Sequence, residues 1–356
     1  MQKKIIALAI AAAISAPAFA DNANITVYGK AFLDVESVQN DKTALSSATR
    51  VQTNASRLGF KGSEDLGDGL KGWFQYEVQM DADGAGAAGT NGLGSGTRNS
   101  GVGLDGSFGT VMMGNWDTPF KLAHNKVELF DNTTVFSALN LIGRANGAAG
   151  SNFNTRQKNV VQYWSPAIAG VKVNASYAPD EGSNGTATTQ GSNKSLVSAA
   201  ATYDNHDNGI YVSVAYESRA DASVATTADT ASRIVGRYTL GDLWIGATVE
   251  AITINTSASA NYTQNNSELV GAYKLGASTV AVSYATAGAT NTNATGATQV
   301  SARYGYNFSK RTEGFLAYTQ LKNDTAGQYG FSSGSAWGTT AGSTQTAIGA
   351  GVIHSF

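Results

Sequence analysis

A two-residue alternation of apolar and polar side chains runs through most of the chain. Residues 25–36, 70–80, 171–177, 299–308 and 348–356 each place an aliphatic or aromatic residue at nearly every second position. Successive side chains of a β-strand point to opposite faces, so this period predicts strands with one apolar and one mainly polar face. No long amphipathic helical window interrupts the pattern. The chain is therefore predicted to be all-β.

The composition limits what such a sheet can do. The 356 residues include no Cys, and the three His, at His124, His206 and His354, lie far apart in the sequence. Disulfides and thiolate metal sites are therefore excluded, and a cluster of several His around a metal is not expected. The formal net charge of −2 gives no basic surface for nucleic acid. We expect no metal, no cofactor and no nucleic-acid partner.

The first twenty residues are predicted to be a secretory signal peptide. Lys3 and Lys4 precede an apolar run at residues 5–14, and small residues flank the expected cleavage point after Ala20. This order of charged, apolar and small residues is typical of exported proteins. The apolar run is too short to anchor the chain, because a membrane-spanning helix needs about 20 residues. Residues 1–20 are assigned to the signal and 21–356 to one domain.

Two architectures share the alternation. A soluble β-sandwich turns its apolar face inward, whereas a membrane barrel turns it to lipid and must close so that every backbone group is paired. Aromatic residues near strand ends, at residues 163–164, 177 and 304–308, favour the barrel, because barrels carry aromatic girdles at both interfaces. Short turns at 66–69 and 240–242 alternate with long polar stretches, and a final Phe ends an alternating strand. About sixteen strands of about ten residues would fit the chain.

One hairpin carries a family resemblance. Residues 56–71, SRLGFKGSEDLGDGLK, resemble the second hairpin of the general diffusion porins of Gram-negative outer membranes, in their neisserial and β-proteobacterial branch. Further segments resemble that family in the family's order: ITVYG at 25–29, GLDGSFGTV at 103–111, VVQYWSP at 160–166 and GVIHSF at 351–356.

The resemblance implies a 16-stranded transmembrane antiparallel β-barrel with short periplasmic turns and long outer loops. It implies that the protein is a homotrimer in the outer membrane of a Gram-negative bacterium, surrounded by lipid and lipopolysaccharide. A third loop folded into the lumen is implied as well, together with passive diffusion of small hydrophilic solutes and ions through a water-filled channel.

The longest stretch without alternation, at about residues 117–155, is assigned to that infolded third loop, with an ordinary extracellular loop as the alternative. Its acids Asp117, Glu128 and Asp131 are predicted to face a wall of bases. Strand parity places five bases on the lumen side: Lys30, Arg57, Lys61, Arg156 and Lys158. Arg98 has outward parity, which a bulge or an irregular strand start could correct.

In the resembled family, arginines at the places of Arg57, Arg98 and Arg156 commonly line the constriction. Fixed charges on both sides of a narrow aqueous gap would produce a transverse field and ion selectivity. Asn115 stands where the resembled motif usually has Arg, and Ile353 and Ser355 replace basic residues. We therefore expect only weak anion selectivity.

Phe356 ends the last alternating segment. The resemblance implies that the barrel-assembly machinery reads this terminal aromatic residue. Two other functions remain open at this stage. A substrate-specific channel with a saturable site fits the same pattern, and an adhesin without a pore is possible. A membrane-barrel enzyme is not expected, because the sequence gives no Ser or Asp a visible reason to act together with His124, His206 or His354.

Overall fold

The computed structural model describes residues 25–42, 47–84, 93–147, 151–179, 194–331 and 340–356. The predicted signal peptide, residues 1–20, lies outside the described residues. No helix among the described residues is long and apolar enough to cross a membrane.

Strands account for nearly all of the regular structure in these residues. In chain order the eighteen strand segments are β1 Thr26–Asn40, β2 Ser47–Thr53, β3 Arg57–Gly67, β4 Leu70–Met80, β5 Leu93–Thr97, β6 Ser100–Gly106, β7 Gly109–Asp117, β8 Arg156–Trp164, β9 Val171–Ala178, β10 Leu196–Asn205, β11 Ile210–Ala220, β12 Ala228–Leu240, β13 Leu243–Ser257, β14 Ala260–Leu275, β15 Ser278–Ala287, β16 Ala297–Asn307, β17 Thr312–Asn323 and β18 Thr344–Ser355. A short helix, α1, spans Pro119–His124, and one 3-10 turn spans Ala138–Asn140.

The segments form one closed antiparallel sheet of sixteen barrel strands. β1 pairs with β2 through its second half and with β3 through its first half, so β2 and β3 are one strand broken at residues 54–56. β4 likewise pairs with both β5 and β6, which are broken at residues 98–99. β18 pairs with β1 and closes the barrel, and Phe356 and Gly29 exchange two backbone hydrogen bonds of 3.0 and 3.1 Å at this seam.

The faces of the sheet identify a membrane barrel, not a sandwich. On β1, Val27 and Val35 point outward and are 54% and 51% exposed, whereas Asp34 and Glu36 point into the lumen and are buried. Tyr304 and Tyr306 are exposed on the outer face near a short turn. Short turns lie at one end of the barrel and longer connections at the other, except that only two residues join β13 and β14 at the long-loop end.

The segment between β7 and β8 folds into the lumen, as predicted. Thr118 caps α1, since its Oγ1 accepts a hydrogen bond from the Lys121 N–H at 3.3 Å. The loop carries its own apolar core, which packs against the inner face of the later strands; its largest buried members are Phe120, Phe136, Leu141, Ile142 and Phe153.

The inner face of the later strands is shaped to receive this core. Many of its inward positions are Ala, as in Ala215, Ala231 and Ala317. At Gly349 on β18, a Cβ would meet the Phe136 ring at 2.9 Å, so the absence of a side chain makes room for the loop. The loop therefore fills the side of the lumen formed by the later strands and leaves the gap beside the earlier ones.

Candidate functional site

A gap remains between the infolded loop and the wall of the earlier strands. It contains a cavity of about 340 Å³, bordered by Gln52 and Gln79 on the wall and by Lys121, Asn132 and Arg144 on the loop. These side chains are polar or charged, so the gap suits water and hydrophilic solutes.

Four bases line the same side of the lumen. Lys30 and Arg57 are partners on β1 and β3, Arg98 lies at the break between β5 and β6, and Arg156 begins β8. We call these four residues the basic wall. Strand alternation predicted that Arg98 would point outward, but the break between β5 and β6 interrupts the alternation at this residue. Arg98 Nε donates a hydrogen bond to Glu77 Oε1 at 2.6 Å.

Carboxylates hold the basic wall in place from its own side. Glu77 lies on β4 between two guanidinium groups, since Arg57 Nε is 3.8 Å from its second oxygen. Arg156 contacts Asp117 Oδ1 at 3.2 Å and donates from Nε to Asn99 Oδ1 at 2.5 Å. Because these contacts use only part of each guanidinium, the bases are positioned without being withdrawn from the lumen.

Two of the three predicted loop acids meet bases. Lys30 Nζ binds both oxygens of Asp131 at 2.8 and 2.9 Å, which links the wall to the loop across the lumen. Asp117, at the root of the loop, pairs with Lys121 at 2.8 Å as well as with Arg156.

The third predicted acid, Glu128, lies inside the loop and does not face the bases. Its oxygens accept hydrogen bonds from the Phe130 N–H at 2.7 Å and the Ser137 hydroxyl at 2.6 Å, within the loop. Burial raises the pKa of Glu128 to about 7. The prediction that Glu128 faces the basic wall is therefore wrong, because the loop turns this carboxyl toward its own interior.

The remaining two predicted bases lie apart from the gap. Lys61 Nζ sits 5.3 Å from the centre of the Tyr28 ring on the lumen side, closer to the short-turn end. Lys158 lines a depression together with Tyr76, Val102 and Met113, which are exposed on the outer face. The pairing of β7 with β8 shifts register there and Asn159 has φ 54°, so the parity that placed Lys158 in the lumen does not hold.

Sequence reasoning left two loop bases, Lys121 and Arg144, without a role. Both border the gap, and burial lowers the pKa of each. Arg144 Nε donates to the Leu139 carbonyl at 2.9 Å, so its guanidinium is held by backbone. Their basic character was visible in the sequence, but their position depends on how the loop turns.

A buried ion pair fixes the loop to the barrel. Arg233 on β12 and Glu250 on β13 have fully buried side chains that meet at 2.6 Å. Arg233 also donates to the Phe120 carbonyl at 3.1 Å and to Asn154 Oδ1 at 3.0 Å, which lie at opposite ends of the loop. Glu250 accepts from the Gly143 N–H in the middle of the loop. We call this pair the loop anchor.

A second contact joins α1 to β14. His124 Nε2 lies 2.6 Å from Glu268 Oε2, and both side chains are buried. Burial lowers the pKa of His124 to about 4, so the ring is neutral at pH 7. This contact adds a hydrogen bond, not a charge pair from a protonated ring, to the docking of the loop.

The chain is similar to known proteins over most of its length. A family model described as Gram-negative porin matches residues 7–326. The outer membrane porin protein 32 of Delftia acidovorans is 28% identical over the whole of both chains. The major outer membrane protein P.IB of Neisseria lactamica is 29% identical, across 89% of this chain and 92% of the relative.

Solved structures are similar to this chain as well. The anion-selective porin from Comamonas acidovorans superposes with a TM-score of 0.78 at 26% identity, covering 94% of this chain and 100% of that chain. The trimer form of OmpT from Vibrio cholerae superposes with a TM-score of 0.65 at 15% identity, covering 94% of this chain and 100% of that chain, which is a likeness of fold alone.

Proposed function

Since the chain belongs to the Gram-negative porin family and forms an outer-membrane diffusion channel, we propose that its constriction makes this channel weakly selective for anions. The observation that carries the proposal is the charge around the gap. The basic wall, Lys121 and Arg144 supply six bases, and the carboxylates that they contact are Glu77, Asp117 and Asp131.

The geometry supports this selectivity for a physical reason. Low-dielectric barrel walls focus the field of fixed charges into the narrow aqueous gap, where ions must pass close to them. Asp131 neutralises Lys30 locally, whereas the Arg144 Nε–H donates to a backbone carbonyl, which carries no charge. The excess of bases lowers the energy of an anion in the gap. The similar Comamonas protein is described as anion-selective, which supports the proposal.

The test is the reversal potential of the purified protein in a planar bilayer with a KCl gradient. We expect a potential directed to anions, and a shift toward cations in Arg144→Gln, which removes a lumen charge without leaving a carboxylate unpaired. Lys158→Gln is the matched control, because it removes the same charge from the outer face and should leave the potential unchanged. A cation-directed potential in the unaltered protein would contradict the proposal.

The relatives are porins, which are channels and not enzymes. Assembly is a separate part of the proposal: three copies form the outer-membrane particle, in contact with lipid and lipopolysaccharide, after the barrel-assembly machinery has inserted each chain. A trimer form among the similar structures supports the stoichiometry. Unheated gel electrophoresis of the cross-linked, detergent-purified protein tests it, and a species of monomer mass alone would contradict it.

The two ends of the sequence have proposed roles in export and insertion. Residues 1–20 direct export and are removed after Ala20, which N-terminal sequencing of the purified protein would check. Phe356 is the residue that the insertion machinery reads. Its hydrogen bonds with Gly29 at the barrel seam support a role in closure as well.

A further inference from the structure

Three indole rings meet on the lumen side of the wall that carries the bases. Trp73 on β4 stacks on Trp164 on β8 with ring centres 5.9 Å apart and planes at 17°. Trp116 on β7 lies 5.8 Å from Trp73 and 5.6 Å from Trp164, tilted to both. We call these residues the indole cluster. Their packing is the geometry that aromatic rings prefer over a face-to-face sandwich.

The strands hold the cluster in position. Trp73 lies across Gly103 of the neighbouring strand, where a Cβ would come within 2.7 Å of the indole ring. Trp116 packs against the buried residues Val160, Ala178 and Leu196 on its other side. A side chain at Gly103 would displace Trp73, so the local sequence specifies this arrangement.

The cluster retains accessible aromatic surface toward a ligand. All three indoles are only partly buried, since the infolded loop packs on the opposite side of the lumen. The Trp164 Nε1–H is buried and has no hydrogen-bond acceptor among the described residues. Because this atom is inaccessible, the partly exposed ring faces, and not this donor, are the surface that a solute can contact.

The basic wall begins where the indole cluster ends. Trp116 directly precedes Asp117 and pairs with Gln157, the neighbour of Arg156. Trp73 lies on the same inward face of β4 as Glu77, which holds Arg57 and Arg98. Aromatic surface and guanidinium groups therefore follow one another along the same wall of the channel.

We propose that the indole cluster and the neighbouring arginines form a subsite for aromatic carboxylates. The ring of the solute lies on the exposed indole surface, and its carboxylate reaches Arg98 or Arg156, whose planar guanidinium groups match carboxylate geometry. The subsite rests on the proposed anion selectivity, because the solute must enter past the same bases. It binds weakly and reversibly, as a conducting channel requires.

The test compares two acids that differ in aromaticity. Benzoate and cyclohexanecarboxylate carry the same charge at similar size, and each is titrated against the KCl current of the detergent-purified protein in a planar bilayer. We expect benzoate to block at several-fold lower concentration. Trp164→Leu should weaken block by benzoate about fivefold, which corresponds to the loss of about 1 kcal/mol of ring stacking, and should leave cyclohexanecarboxylate unchanged.

Two further variants separate stacking from misfolding. Trp164→Phe keeps an aromatic face and should weaken block by benzoate less than twofold. Trp244→Leu removes an indole from β13, away from the cluster, where it packs partly buried against the loop core, and should have no effect. Equal block by the two acids, or equal sensitivity of Trp164→Leu and unaltered channels to benzoate, would overturn the subsite.

The reversal potential from the same bilayers distinguishes the two proposals. An anion-directed potential without benzoate preference removes the subsite and leaves the selectivity. A cation-directed potential removes the selectivity; benzoate preference would then have to be carried by the indoles without an anion-favouring entrance, which contradicts the subsite as stated.

Discussion

Replacing Arg233 by Met should release the constriction loop from the barrel wall. Met has an unbranched side chain two atoms shorter than that of Arg, with no charge and no donors. Glu250 would then remain buried without its ion-pair partner, and the Phe120 carbonyl and Asn154 Oδ1 would each lose a hydrogen bond at one end of the loop.

The free-energy cost of this substitution follows from the burial of the Arg233–Glu250 ion pair. Removing one partner of a buried ion pair costs about 3–5 kcal/mol, because the remaining charge is uncompensated. Glu250 keeps hydrogen bonds from the Gly143 N–H and from Asn266 Nδ2, so we expect the lower end of that range. About 3 kcal/mol corresponds to an increase on the order of 100-fold in the undocked population of the loop.

Limited proteolysis measures this population. When a segment opens and closes faster than it is cut, the cleavage rate follows the open fraction, so chymotrypsin should cut the loop on the order of 100-fold faster in Arg233→Met. Arg237→Met is the matched control: the residue lies on the same strand, but its ion pair with Asp204 is longer, at 3.8 Å, and partly exposed, so its loss should cost less than about 1 kcal/mol.

A double variant tests whether the unpaired charge of Glu250 causes the faster cleavage. Arg233→Met combined with Glu250→Gln removes the unpaired charge while keeping an acceptor for the Gly143 N–H, so it should recover much of the lost protection. Cleavage of Arg233→Met at the unaltered rate, or equally fast cleavage of the double and single variants, would refute the role of the loop anchor.

Three other predictions concern the loop and the seam. The folded loop raises the pKa of Glu128 from its usual 4.5 to about 7, so the docked loop is most stable below pH 4.5 and loses this contribution as pH rises to about 7. Current noise should therefore increase between about pH 5 and pH 7, and a Glu128→Gln channel that shows the same increase would contradict this. Asp131→Asn frees the Lys30 charge and should shift the reversal potential further toward anions, whereas an unchanged potential would count against the cross-lumen pair. Deleting Phe356 removes the hydrogen bonds to Gly29 and should lower the amount of assembled protein without altering single-channel conductance; normal outer-membrane levels would disprove it.

The sequence predicted which face of each regular strand points outward and which points into the lumen. Val27 lies outside and Asp34 inside because the strand period of two is set by backbone geometry, and the sheet keeps that period wherever pairing is regular. Arg98 could be placed only by allowing an irregularity, which the break between β5 and β6 supplies. For Lys158, a single register shift reverses the face, and nothing in the local sequence reveals it.

Positions that depend on distant contacts could not be predicted. Glu128 is turned by the fold of the loop, whose neighbour His124 contacts Glu268 at a separation of 144 residues. Trp73, Trp116 and Trp164 are far apart in the sequence, and only the pairing of their strands brings the rings together. The infolded loop itself was predicted, because its long loss of alternation and the family resemblance point to the same segment.

The apolar core of the loop affects how the chain reaches the membrane. The hydrogen bond between Asn140 and Gln299 spans 159 residues, so the loop docks only after most of the chain has been made. Contacts at such separations form slowly, and exposed apolar segments aggregate in the meantime. In cells that lack a periplasmic holding chaperone, the unaltered precursor should aggregate more than a variant that carries Phe136→Ser and Leu141→Ser. We therefore expect the residues that narrow the finished channel to make its unfolded precursor depend on a chaperone.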